Sequence, residues 1–173
     1  MTLNKTVALV GMMGAGKTSL GRRLAARLEV PFRDADLEIE AAAGLTVSEI
    51  FAKFGEPYFR DGERRVIARL ISGPPLVLAT GGGAFVNLET RALIKSGAVS
   101  VWLKADLDVL FERVSRRSNR PLLKTADPKA TLQKLIEDRY PIYADADLTV
   151  LSRDVPQDSV AADVISALLH HLR

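Results

Sequence analysis

The chain has 173 residues, 47% of them hydrophobic and 26% charged, and contains no cysteine. That length suits one domain with a full core, and the missing cysteines exclude disulfides and thiolate metal sites. Lysine plus arginine exceed aspartate plus glutamate by 24 − 21 = +3, too small a surplus to imply nucleic-acid binding.

No apolar run approaches the ~18 residues of a membrane span. The first five residues lead straight into an apolar strand, so no signal peptide is expected. The expectation is a cytoplasmic monomer of one domain over residues 1–173, with no nucleic-acid or membrane partner. Strands are expected near residues 6–10, 30–33, 76–80, 99–103 and 147–151, with helices between them. Such alternation argues for an α/β protein with a parallel sheet. Sites in open sheets of this kind lie beyond the C-terminal strand ends.

The first strand runs into Gly11-Met12-Met13-Gly14-Ala15-Gly16-Lys17-Thr18. Leu20, Leu24 and Leu28 follow at helical spacing. Strand, glycine loop, Lys-Thr and helix form the P-loop pattern in its required context. Gly14, Ala15, Gly16 and Ser19 belong to the stretch whose backbone amides face a phosphate, at the favourable end of a helix. Lys17 is placed to reach the β- and γ-phosphates, and the Thr18 hydroxyl to bind Mg²⁺. A nucleoside triphosphate is the expected ligand.

The next strand ends in Asp34-Ala35-Asp36. If the extended geometry persists, two carboxylates at i and i+2 point to one side. A P-loop enzyme takes a second Mg²⁺ contact from a strand-end aspartate. The strand over 76–80 ends in glycines, so Asp34 is the best candidate. Thr46-Val47-Ser48-Glu49 is a capping box opening a short helix, which Gly55 ends, and Pro57 suits the first turn of the next. Arg60 lies near that helix's N-terminus, where a cation opposes the dipole. It is read either as the partner of an anion or as an exposed surface arginine.

Gly81-Gly82-Gly83 permits close backbone approach to a ligand. Asn87 and Asp106 are candidate N-caps, and Gly97 a C-terminal glycine. Trp102 reads as core. Between Arg113 and Lys124 lie five cations and no acid. This segment is read as a lid over ATP, as a solvated face, or, less well without interleaved aromatics, as a nucleic-acid patch. Asp127-Pro128 opens a helix ending at Arg139-Tyr140-Pro141-Ile142-Tyr143, and Pro156-Gln157-Asp158 leads into the terminal helix. His170 and His171 read as surface residues.

Taken together, residues 11–18, Asp34 with Asp36, Gly55-Glu56 with Phe59-Arg60 and Glu63, the triple glycine, Arg120-Pro121-Leu122-Leu123, and Arg139 with Pro141 and Tyr143 resemble the shikimate kinase family. The likeness runs in order from residue 6 to about 145 and is looser around Pro156-Gln157. It implies an adenylate-kinase-like, three-layer α/β/α fold with a five-stranded parallel sheet, the P-loop strand central. A mobile lid over about 113–125 and an acceptor-binding helical region over about 34–62 go with it. The implied reaction is transfer of the ATP γ-phosphoryl to the shikimate 3-hydroxyl, giving shikimate 3-phosphate and ADP on the way to chorismate and the aromatic amino acids.

The resemblance implies roles for single residues as well. Asp34 would serve Mg²⁺, and Asp36, Arg60, the triple glycine and Arg139 would hold shikimate. Lys17, Asp36 and Arg120 would be catalytic, with Arg113, Arg120 and Gln157 on the nucleotide. A guanine-nucleotide switch is disfavoured because its base-reading motif is missing. A nucleic-acid-linked ATPase is disfavoured because no acid follows residues 76–80. Gluconate kinase is the nearest competitor among kinases.

Overall fold

The computed structural model of the chain describes residues 1–116 and 125–173. Arg120, with Arg117 and Lys124, lies outside the described residues. Five strands, β1 (Thr6–Val10), β2 (Phe32–Asp34), β3 (Val77–Ala79), β4 (Ala98–Lys104) and β5 (Leu148–Leu151), form one sheet in the order β2-β3-β1-β4-β5. Every pairing is parallel, with Val7 opposite Val77 on one side and Val99 on the other. β1, the strand that feeds the phosphate loop, is central and buried along its whole length. A sheet covered on both faces needs such unbroken apolar strands. The helices are α1 (Lys17–Leu28), α2 (Ala35–Ala43), α3 (Val47–Phe54), α4 (Glu56–Ser72), α5 (Leu88–Gly97), α6 (Leu107–Ser115), α7 (Pro128–Tyr143) and α8 (Gln157–His171).

Local signals were good guides to most helix starts. Thr46 and Glu49 form both bonds of the capping box, Pro57 sits in the first turn of α4, and Asn87 and Asp127 cap α5 and α7 through their side chains. Three expectations fail. The extended geometry after β2 stops at Asp34, which instead caps α2 by accepting from the amides of Asp36 and Leu37. Only Ala35 and Ile39 of α2 are buried, too few to mark a helix by periodicity. Asp106 stands at the start of α6 but makes no capping bond. Gly97 is the last residue of α5 and not a left-handed cap. A Cβ there would lie 2.5 Å from Ile71 Cγ2, so glycine serves the close packing of α5 on α4. Pro141 lies inside α7, which continues to Tyr143.

A second, small core of Ile39, Ile50, Phe59 and Val66 holds α2, α3 and α4 together beside the sheet. It carries the region expected to bind the acceptor. Trp102 is 4% exposed, as a core residue should be.

Candidate active site

The loop between β1 and α1 is the first half of the site. Gly16, at φ +93°, starts α1 from a left-handed conformation that favours glycine. Lys17 Nζ donates to the carbonyls of Gly11 and Met12, the latter at 3.0 Å. Arg113, in α6, donates from Nη1 to Gly14 O and Ala15 O, both at 3.1 Å, and to Ser152 Oγ at 3.0 Å. Ser152, just past β5, donates to Ala15 O at 2.7 Å. These bonds engage the loop's carbonyls with protein donors, so what remains for an anion is amides. Ser152 was not singled out in the sequence. Nothing local marks a serine 137 residues from its partner.

Gln157 lies against the same loop, since a Cβ on Gly16 would come within 3.2 Å of its Nε2. The loop, Thr18, Ser19, Arg113, Gln157, Asp34, Asp36, Gly81 and Gly82 line one cleft of ≈ 330 Å³.

Thr18 and Asp34 meet although sixteen residues apart: Thr18 Oγ1 donates to Asp34 Oδ2 at 2.9 Å. With its proton on Asp34, the hydroxyl keeps its lone pairs for a cation. No group of three or more His, Cys, Asp or Glu among the described residues could hold a metal by itself. A hydroxyl and one carboxylate suit Mg²⁺, a hard ion that keeps several waters and takes phosphate oxygens as ligands.

The second half of the site gathers around the triple glycine after β3. None of these glycines has a positive φ. Their value is space. A Cβ at Gly81 would stand 3.0 Å from Asp36 Oδ1, one at Gly82 3.4 Å from Arg139 Nη1, and one at Gly83 2.3 Å from Arg60 Nη2. Each glycine thus clears room for a different side chain from a different helix. Asp36 stands in the first turn of α2, Arg60 in the second turn of α4 and Arg139 near the end of α7.

Of the two carboxyls here, Glu63 is buried and Asp36 half-buried. Burial is the main reason the Asp36 pKa is raised; the Asp34 charge adds to it, while Lys17 and Arg60 oppose. Glu63, 1% exposed, is raised chiefly by burial as well, even though Arg60 Nη1 donates to its Oε1 at 2.8 Å. Among the described residues, Asp36 Oδ1 and Glu63 Oε2 have no hydrogen-bond partner. Leaving such atoms buried costs free energy, and so does holding carboxyls near one another. Arg60 is held by Glu56 and Glu63 and lies 5.1 Å from the Phe59 ring centroid, so it is not a free surface arginine. His170 and His171 are exposed at the far end of α8.

The phosphate loop, the Thr18–Asp34 pair and Asp36 line this cleft with Gly81 and Gly82, and Arg60 and Arg139 line a hollow with Gly83. That arrangement defines a P-loop kinase of small molecules.

The comparisons narrow the class. A family model described as "Shikimate kinase" matches residues 13–169. The chain is 60% identical over 168 residues to the shikimate kinase of Bradyrhizobium diazoefficiens, covering 97% of this chain and 81% of that one. It is 62% identical over 164 residues to that of Caulobacter vibrioides, covering 95% and 82%. The solved shikimate kinase from Acinetobacter baumannii, in complex with shikimate, has a TM-score of 0.90 at 38% identity over 96% of this chain and 93% of that one. A gluconokinase from Sinorhizobium meliloti, at 19% identity and a TM-score of 0.63 over 98% and 94% of the two chains, shares the fold alone. The chain belongs to the shikimate kinase family: it is an ATP-binding kinase of the shikimate pathway, which serves aromatic amino-acid biosynthesis.

Proposed function

We propose that the chain transfers the γ-phosphoryl group of ATP to the 3-hydroxyl of shikimate, giving shikimate 3-phosphate and ADP, with Mg²⁺ held by Thr18 and by Asp34. The observation that supports this reading is the convergence of Asp36, Arg60 and Arg139 on one triple glycine, whose Gly81 and Gly82 line the same cleft as the phosphate loop.

Arg60 and Arg139 present planar forks of N–H donors, the geometry that binds a carboxylate in two places. Asp36, held near Gly81, accepts from acceptor hydroxyls. Its raised pKa suits it to take the proton of the attacking hydroxyl. Lys17 exchanges its hold on the Gly11 and Met12 carbonyls for phosphate oxygens. Bound Mg²⁺ supplies charge against the β- and γ-phosphates. Arg120 adds charge to the transferring group, while Arg113 and Gln157 flank the nucleotide. Most of the rate enhancement comes from placing the two reactants in line, because phosphoryl transfer asks little covalent chemistry of the protein. The enzyme acts as a cytoplasmic monomer in this reading, with residues near 113–125 serving as lid and residues near 34–62 as acceptor region.

ADP release is measured from ATP and Mg²⁺ with shikimate, gluconate, RNA or no acceptor. Release requiring shikimate and Mg²⁺ is expected. Equally fast hydrolysis without an acceptor would overturn the reading.

A further inference from the structure

Helix α7 ends on Tyr143, whose ring is fully buried and whose hydroxyl has three polar neighbours. The hydroxyl donates to Gly82 O, lies 3.9 Å from Met12 Sδ, and has the Arg139 guanidinium near enough to act on it electrostatically. A phenol has one proton. With that proton on Gly82 O, lone pairs alone are left to face the Arg139 guanidinium. Burial pushes the Tyr143 pKa up, which keeps the donor protonated through the ordinary pH range.

The position of Gly82 gives the bond its meaning. A Cβ there would stand 3.4 Å from Arg139 Nη1 and 3.6 Å from the amide nitrogen of Met13, in the phosphate loop. Gly82 therefore passes between the acceptor arginine and the nucleotide side of the cleft, and Tyr143 holds it by its carbonyl. Arg139 and Tyr143 are four residues apart on one face of α7.

We infer that Tyr143 is a positioning residue, whose hydroxyl fixes the Arg139 guanidinium and the Gly82 carbonyl relative to each other. It thereby sets the distance between the acceptor's carboxylate and the phosphate loop. The inference rests on the reading of Arg139 as an acceptor ligand. Tyr140 supplies an internal comparison: it lies in the same helix and is half-buried, with its pKa pushed up to about 12. Its hydroxyl, however, donates to Ala105 O, and its ring packs edge-on against Trp102 at 4.9 Å, away from the triple glycine.

The test is steady-state kinetics of Tyr143→Phe, Tyr140→Phe, Arg139→Lys and the Tyr143→Phe/Arg139→Lys double variant, each checked by thermal melting. Tyr143→Phe should raise the KM for shikimate about tenfold, the scale of one lost hydrogen bond. It should leave the KM for ATP within about twofold, and in the Arg139→Lys background it should add less than about twofold. Tyr140→Phe should change neither constant.

A shikimate KM unmoved by Tyr143→Phe but raised by Arg139→Lys overturns the inference and leaves the acceptor reading standing. Equal effects of Tyr143→Phe and Tyr140→Phe also overturn it, since both then report packing. An Arg139→Lys variant with unchanged shikimate KM overturns the acceptor reading and takes this inference with it.

Discussion

The two halves of the cleft are built in opposite ways. The nucleotide half centres on a single stretch of eight residues, with Lys17 and Thr18 as its only charged or hydroxyl side chains, to which α6 and α8 add Arg113 and Gln157. The acceptor half has no such stretch. Asp36, Arg60, the triple glycine and Arg139 arrive from α2, α4, the end of β3 and α7. Phosphate is the same in every nucleotide, and amides at a helix start recognise it wherever the strand–loop–helix unit occurs. A polyhydroxy acid needs its own spacing of cations and acceptors, and that spacing is set by how four elements pack. The cost appears as buried carboxyl oxygens, on Asp36 and Glu63, without partners among the described residues. Functional sites commonly hold such unsatisfied groups at the expense of stability.

If the halves are separable in this way, variants should sort by which ligand they affect. Lys17→Ala should give the largest loss, to near background ADP release with shikimate. Substantial residual turnover would mean that the loop amides alone suffice. Arg120→Ala comes next, with kcat down about 10³-fold and ATP binding changed far less. A variant keeping most of its kcat removes Arg120 from the catalytic set.

Asp36→Asn should lower kcat about 10²-fold or more while binding ATP normally. Asp34→Asn should instead raise the Mg²⁺ needed for half-maximal rate. Rescue of Asp36→Asn by added Mg²⁺ would reverse the two roles. The same variant carries a stability prediction of fixed sign. Because the folded pKa of Asp36 is raised above 3.8, its favourable share of stability is complete only below that ordinary value. It is lost as pH rises through the folded value. At pH 7 the free Asp36→Asn protein should therefore melt higher than the parent, by about 2 °C or more. The gap should close as the pH falls towards 3.8. A parent protein that melts higher at pH 7 would show the carboxylate to be well solvated.

Gly83→Ala should have the smallest effect on folding and a clear one on the acceptor. Its Cβ would collide with Arg60 Nη2 at 2.3 Å, the far end of a flexible side chain, so Arg60 moves and the fold survives. The KM for shikimate should rise about tenfold with the melting temperature nearly unchanged. An unchanged KM would mean that Arg60 binds from another rotamer.

How much of this could be read without coordinates follows the same division. The phosphate loop, the capping box at Thr46 and Glu49, and the caps at Asn87 and Asp127 are written in neighbouring residues, because a backbone turn or a cap is satisfied within a few positions of itself. The alternation of apolar strands with helices likewise announced a parallel sheet. The acceptor residues could be named only through a family likeness, since no local rule connects residue 36 with 60 or 139. Packing decided what remained. It made Gly97 a contact with Ile71, tied Ser152 to Ala15, and set Tyr143 beneath Gly82. Each of these joins parts of the chain whose sequences carry no record of each other. Their meeting depends on the whole sheet having formed, with every helix seated on it. The sequence alone therefore determined the phosphate loop and the layered α/β plan, and tertiary structure decided which distant side chains share the cleft.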